Sequence, residues 1–124
     1  MLPKSKKPQT HKKINFKEKF SKFTEYWQPK VVANLNDYEI KLVKIKNDFV
    51  WHHHEETDEA FIVVKGAMHI EFEDHTVRLD EGEMLVVPKG VRHKPYADQE
   101  AQIMLVEPRD LSLIHISEPT RQLQ

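Results

Sequence analysis

Two short stretches decide the fold of this chain: residues 51–66 read WHHHEETDEAFIVVKG, and residues 82–93 read GEMLVVPKGVRH. Side chains alternate between the two faces of an extended strand. His52 and His54 are therefore expected on one face and His53 on the other. This pattern predicts two imidazoles that point to a common place.

The rest of the two stretches supplies further polar groups. A short turn after the histidines brings Glu59 back on the neighbouring strand, and His93 follows a tight turn in the second stretch. Imidazole nitrogens combined with one carboxylate suit Mn, Fe, Co, Ni, Cu or Zn, whereas Mg and Ca favour mainly oxygen ligands. The sequence therefore predicts a site for a divalent transition metal.

The same residues resemble the two motifs of the cupin superfamily. The first motif, G-x5-H-x-H-x(3,4)-E-x6-G, is matched at His52, His54, Glu59 and Gly66. The second motif, G-x5-P-x-G-x2-H-x3-N, is matched at Gly82, Pro88, Gly90 and His93. All three glycines of the chain fall on motif positions, and this agreement is not expected by chance from background composition.

Two positions depart from the motifs. Lys46 stands where the first motif has glycine, although Asn47 and Asp48 supply a turn signal one residue later. Ala97 replaces the asparagine that ends the second motif. Neither position is expected to bind metal, so the departures affect the turns and leave the predicted site intact.

The resemblance covers about residues 31–107 and implies an all-β, jelly-roll β-barrel. It implies a divalent metal held inside by His52, His54, Glu59 and His93. Small single-domain bacterial cupins of this kind are often labelled mannose-6-phosphate isomerase-like, a label that describes fold similarity more than activity. An open coordination position would distinguish a catalytic or ligand-binding metal from a structural one.

Short apolar stretches separated by turn signals continue outward from the motifs and are typical of an antiparallel sandwich or barrel. We predict strands at about 31–35, 38–46, 49–54, 59–65, 67–73, 76–79, 84–87, 92–96 and 101–106. Phe61–Val64 and Met84–Val87 are continuous apolar runs, so both faces of each are expected to be covered.

One helix is predicted before the barrel, from about Phe16 to Trp27. Phe16, Phe20, Phe23 and Trp27 recur at helical spacing, and Asn15 can cap the first turn. The aromatic stripe is expected to make core or dimer contacts rather than a cofactor site.

The chain divides into four parts by composition. Residues 1–13 read as a disordered basic leader, residues 14–30 as the helix and lead-in, and residues 31–110 as the barrel. Residues 111–121, LSLIHISEPTR, match the conceptual translation of an adapter used in sequencing-library preparation. We therefore expect residues 111–124 to be an artefact of sequence assembly.

Charge and composition exclude several classes of function. Residues 1–30 carry nine lysines and two glutamates, whereas the remainder has a net charge of −8. A basic arm on an acidic body can indicate nucleic acid or membrane affinity, but this leader lacks aromatic residues and is typical of a solvated segment. We expect no nucleic acid partner, no membrane span and, without a signal peptide, a cytoplasmic location.

Two classes of function remain after these exclusions. The chain either binds a small oxygen-rich molecule at its metal without turnover, or acts as a metal-dependent isomerase-like or dioxygenase-type enzyme. Polar groups that converge on the barrel mouth would favour turnover, and an apolar mouth would favour binding or oxygen chemistry. A homodimer is expected from the aromatic helix stripe.

Overall fold

The computed structural model describes residues 11–109, which are built almost wholly from antiparallel strands. A short helix, α1 (Phe16–Phe20), precedes seven strands: β1 (Lys30–Leu35), β2 (Tyr38–Asp48), β3 (Glu59–Lys65), β4 (Met68–Glu71), β5 (Thr76–Leu79), β6 (Met84–Val87) and β7 (Lys94–Pro108). The prediction of an all-β fold with one N-terminal helix is confirmed. The predictions for residues 1–10 and 110–124 lie outside the described residues.

Strand β7 joins the two halves of the barrel. The main strand order is β1-β2-β7-β3-β6, while β4 pairs with β5 and with β7. The first residues of β7 pair with β4, its later residues pair with β3, and β2 runs beside both parts. Because one long strand changes its partner in this way, the sheet curves round into a jelly roll.

The core occupies the inside of this curved sheet. Alternate residues of each strand face inward, as the pleat of a β-strand requires. The buried cluster contains Val43 and Ile45 of β2, Phe61 and Val63 of β3, Met68 and Ile70 of β4, and Ile103 and Leu105 of β7. The inner face therefore combines apolar side chains from both halves of the jelly roll.

The N-terminal helix is shorter than predicted. Asn15 caps it as expected, since its side chain accepts a hydrogen bond from the Glu18 backbone N–H at 2.9 Å. The predicted continuation to Trp27 is wrong. The Trp27 N–H donates to the Lys44 carbonyl of β2 at 2.8 Å, and Trp27 has a φ of 63°. Hydrogen bonding to the sheet thus replaces the helical bonds that this segment would otherwise make.

Two strand predictions also need correction. Residues 49–54 do not form a strand; His52 makes only an isolated antiparallel bridge with His93. The predicted strands at 92–96 and 101–106 belong to the single strand β7, which continues through the predicted gap because β2 pairs with both of its parts. The sequence between them carries no glycine or proline to interrupt pairing.

The apolar run of β6 is covered on one face only. Met84 and Val86 are 53% and 46% exposed, whereas Val87 is buried. The prediction that both faces of Met84–Val87 are covered is therefore wrong. β6 is the last strand in the main order, and its outward side chains meet solvent.

Lys46 occupies the glycine position of the first motif, and the next residue, Asn47, adopts the backbone conformation typical of glycine. Asn47 has a φ of 65°, a left-handed conformation that asparagine tolerates better than most residues. The register between β2 and β7 shifts between Ile45 and Asn47. Asn47 therefore provides the backbone irregularity one residue after the motif position.

Within residues 11–109, helical structure does not reach the length and hydrophobicity needed to span a bilayer.

Candidate metal centre

Backbone hydrogen bonds to Gly90 and His93 hold His52 and His54 in place. His52 and His93 exchange backbone hydrogen bonds of 3.0 and 2.9 Å, and the Gly90 N–H donates to the His54 carbonyl at 2.7 Å. The loop between β2 and β3 is thereby fixed against the turn before β7. This contact between the two motif stretches is not visible in either stretch alone.

The other two predicted ligands stand at strand ends. Glu59 is the first residue of β3, and His93 immediately precedes β7. Both side chains are buried, as is that of His54. Strands that run side by side in the barrel thus bring separate parts of the sequence to one place.

The structure assembles the predicted residues around the Glu59 carboxylate. Glu59 Oε1 lies 3.2 Å from His54 Nε2 and 3.6 Å from His93 Nε2. Ligand atoms of His52, Glu59 and His93 all lie within 4.8 Å of one another. His54 is not a member of that group of three, although it contacts Glu59.

A second group shares two of these residues. Ligand atoms of His54, Glu59 and Glu107 also lie within 4.8 Å of one another. Glu107, near the end of β7, was not among the predicted site residues. Two overlapping groups therefore meet at Glu59, one on the His52 and His93 side and one on the Glu107 side.

Backbone carbonyls orient two of the imidazoles. His52 Nδ1 lies 3.0 Å from the Val50 carbonyl oxygen, and His93 Nδ1 lies 2.9 Å from that of Val91. Because a carbonyl oxygen only accepts, Nδ1 carries the proton in both rings and donates it. In the neutral form of each ring, Nε2 then has the lone pair, the arrangement commonly found in metal-binding histidines.

Several buried atoms of the cluster have no hydrogen-bond partner among the described residues. They include His93 Nε2 and Glu59 Oε1, which face each other, and His54 Nδ1. An unpaired buried polar atom is costly, so its presence calls for an explanation such as a bound ion. The residues fit a divalent transition metal on this observation and on the mixture of nitrogen and oxygen ligands.

Burial and neighbouring charges set the protonation of the cluster. Burial, with help from His93, lowers the pKa of His52 to about 4, so this ring is neutral at pH 7. Burial alone would lower the pKa of His54, but the Glu59 carboxylate raises it overall. Burial would raise the pKa of Glu59, but the imidazoles of His54 and His93 lower it. The two imidazoles therefore favour the anionic form of the Glu59 carboxyl.

A cavity of about 420 Å³ lies against this cluster. His52, His54 and Glu59 form part of its wall, and most of the remainder is apolar. The apolar lining includes Trp27, Phe49, Phe61, Met68, Ile103 and Leu105. Trp27 stacks on Phe49 at 4.8 Å between ring centroids, so this residue of the predicted stripe lines the pocket, whereas Phe20 is buried in the core as expected.

A buried ion pair forms the other polar part of the cavity wall. Lys41 Nζ lies 2.7 Å from Glu107 Oε2 and 3.6 Å from Glu39 Oε1. Burial and the Glu59 charge raise the pKa of Glu107, while the Lys41 ammonium opposes this shift. The three residues all line the cavity.

The sequence contained a signal for this pair that the motif analysis missed. Lys41 has the same parity as the buried Val43 and Ile45 of β2, and Glu107 has that of Leu105 in β7. A charged residue at an inward position of an apolar strand indicates a buried partner. Only the pairing of β2 with β7 identifies which residues meet.

Comparison with known proteins identifies the class to which this fold and site belong. The family model for the cupin domain matches residues 41–107, and the chain is a member of the cupin family. This confirms the resemblance found in the two motifs.

Individual relatives agree with that assignment. A cupin-2 domain containing protein from Shewanella frigidimarina NCIMB 400 is 54% identical, with a TM-score of 0.77 over 77% of this chain and 94% of the other. Protein NMB1881 from Neisseria meningitidis is 36% identical, with a TM-score of 0.72 over 78% and 99%. The uncharacterised protein YdbB from Bacillus subtilis strain 168 is 30% identical over 82% of this chain and 85% of its own length.

Proposed function

We propose that this cupin binds a divalent transition metal (Mn, Fe, Zn, Ni, Co or Cu) through His52, His54, Glu59 and His93. The bound ion would hold a small molecule by an oxygen atom. The observation that carries the proposal is the pair of buried, unpartnered atoms His93 Nε2 and Glu59 Oε1, 3.6 Å apart. A cation between nitrogen and oxygen ligands would satisfy both atoms.

The residues around the site have separate tasks in this proposal. The Val50 and Val91 carbonyls hold the His52 and His93 rings with Nε2 toward the ion. The Glu59 carboxylate supplies the negative charge that a divalent cation needs. When bound, the metal would act as a Lewis acid toward an oxygen of the ligand.

The cavity wall narrows the class of ligand. Apolar and aromatic side chains cover most of it, and charged groups are confined to the metal ligands and the Lys41 cluster with Glu39 and Glu107. A sugar phosphate would leave many hydroxyl groups without partners against such a wall. The lining therefore supports a ligand with an apolar body whose oxygen atoms are concentrated near the metal.

This lining favours ligand binding or oxygen chemistry over an isomerase-like activity on sugars. Turnover and binding without turnover are distinguished by assay of the fully metallated chain. The dioxygenase-type alternative predicts oxygen consumption with a phenol or diketone in the panel. A panel that includes sugar phosphates and gives no product from any compound would support the binding module.

Location and assembly complete the proposal. A homodimer is consistent with the outward side chains Met84 and Val86 on β6, which expose apolar surface, and a cytoplasmic location stays a prediction. Light scattering at micromolar concentration tests the dimer directly. A monomer under those conditions would contradict it.

Elemental analysis after purification without added metal tests the central part of the proposal. We expect about one equivalent of transition metal in the wild-type chain and much less in His93→Ala. His75→Ala is the matched control, because His75 is an exposed histidine that pairs with Asp74 and belongs to neither group of candidate ligands among the described residues. Equal metal content in all three proteins would contradict the proposal.

A further inference from the structure

The Lys41–Glu107 pair lies where it can contact whatever occupies the cavity. Both residues line the cavity, and both are buried. A Glu107 oxygen lies within 4.8 Å of ligand atoms of His54 and Glu59. Glu107 is therefore close to the proposed metal centre without belonging to the cupin motifs.

Fold stability alone does not account for this pair. Desolvation of two charges offsets much of their attraction, so apolar residues of similar volume often serve a fold equally well. The pair also lies beside apolar side chains of the inner face, such as Val43 and Leu105, outside the histidine cluster. A role in recognising the ligand explains why charges occupy this part of the wall.

The surroundings of Glu107 distinguish it from a metal ligand. The Lys41 ammonium lies 2.7 Å from Glu107 Oε2 and already provides its positive counter-charge. An added cation at the same carboxylate would meet repulsion from that ammonium. His52 and His93, whose Nε2 atoms are oriented by backbone carbonyls, do not share a group with Glu107.

We propose that Glu107, positioned by Lys41, accepts a hydrogen bond from a hydroxyl group of the ligand. The inference rests on the proposed function, and it specifies the ligand class. The apolar and aromatic lining favours a ligand with an aromatic body. Because Glu107 lies within 4.8 Å of the proposed ligands His54 and Glu59, the two oxygen groups of the ligand would be close together, as on neighbouring carbons. One oxygen would be directed to the metal, and the other would be a hydroxyl that donates to Glu107.

Two probes that differ in one hydrogen-bond donor test this inference. The full chain is loaded with Zn, which has no redox chemistry, and titrated by calorimetry with 1,2-dihydroxybenzene and with 2-methoxyphenol. Wild-type protein should prefer the first probe, and Glu107→Gln should reduce that preference by about tenfold, since a hydrogen bond to a charged acceptor is lost. Zn affinity should remain within about threefold of the wild-type value.

Further variants keep the result interpretable. Lys41→Met combined with Glu107→Leu removes both charges, which guards against failure to fold, and it should lose the same preference. Glu73→Gln is the control, since Glu73 pairs with Arg92 on the exposed surface. It should behave as the wild-type chain does.

The outcomes separate the two proposals. Wild-type protein that fails to bind Zn overturns the proposed function, and this inference falls with it. Normal Zn binding with an unchanged probe preference in Glu107→Gln overturns the inference alone. A loss of Zn affinity in Glu107→Gln as large as that in Glu59→Gln also overturns it, because Glu107 would then be a metal ligand.

Discussion

Two buried polar clusters line the same cavity. They differ in whether other protein groups provide hydrogen-bond partners for their buried polar atoms. In the cluster around Glu59, His93 Nε2 and Glu59 Oε1 have no hydrogen-bond partner among the described residues. In the other, Lys41 and Glu107 are joined at 2.7 Å. The difference supports the proposal that the first cluster takes up an ion, whereas the second contains its own ammonium counter-charge.

The largest expected effect is on metal affinity, when the carboxylate of Glu59 is removed. Glu59→Ala should weaken metal binding by more than about a hundredfold, beyond the 10–100-fold typical of residues that only orient ligands. Calorimetric titration of the purified chain with Zn measures this. Glu73→Ala, at an exposed carboxylate, should leave the affinity unchanged.

Breaking the satisfied cluster should reduce stability instead. Lys41→Met leaves Glu107 buried without its 2.7 Å partner and should lower the free energy of unfolding by about 3 kcal/mol. Denaturant titration of the metal-free protein measures the loss. The double variant Lys41→Met, Glu107→Leu should recover most of it, and a double variant as unstable as the single one would contradict this account of the pair.

Metal addition should stabilise the folded chain by binding at the cluster around Glu59. Binding to the native state alone contributes about 2.7 kcal/mol when the free metal is 100 times its Kd. Thermal unfolding with added Zn, and again after a chelator, measures this contribution. In His54→Ala the stabilisation at the same Zn concentration should fall, and an undiminished shift would exclude His54 as a ligand.

The first cluster should also make the metal-free protein sensitive to acid. The pKa of His52 is about 4 in the folded chain and near 6.5 when unfolded. Between these values the unfolded state binds more protons, so stability falls as pH decreases from 6.5 to 4. The contribution of His52 is on the order of 3 kcal/mol, since one unit of pKa corresponds to about 1.4 kcal/mol.

Paired variants isolate this contribution. His52→Asn should flatten the dependence of unfolding free energy on pH across that window. His75→Asn, at an exposed ring, should retain it. Equal slopes in the two variants would show that His52 is not the group responsible.

The sequence predicted which residues lie together in the first cluster, while their metal-binding role stays a prediction, and it did not predict the second cluster. Motif spacing identified His52, Glu59 and His93 because a cupin barrel places those positions together. Lys41 and Glu107 are 66 residues apart, and their contact depends on the register of β2 against β7. The alternation of inward and outward positions along β2 and β7 indicates that Lys41 and Glu107 both face inward. It does not indicate that they pair with each other.

The ends of α1 and β7 also depend on contacts between residues far apart in the sequence. The helix was expected to reach Trp27, but Trp27 hydrogen-bonds to Lys44 of β2. β7 was expected as two strands, but β2 pairs with both of its parts. Local patterns predicted the elements well and their ends poorly, because partners distant in the sequence determine where hydrogen bonding continues.

Anomalous diffraction at the metal absorption edge, from crystals of the full chain loaded with Zn, tests the central claim most directly. We expect a single ion bound by Nε2 of His52 and His93, the imidazole of His54 and the carboxylate of Glu59, with Glu107 still paired to Lys41. An ion bound elsewhere, or one whose ligands include Glu107 in place of His52 and His93, would contradict the account.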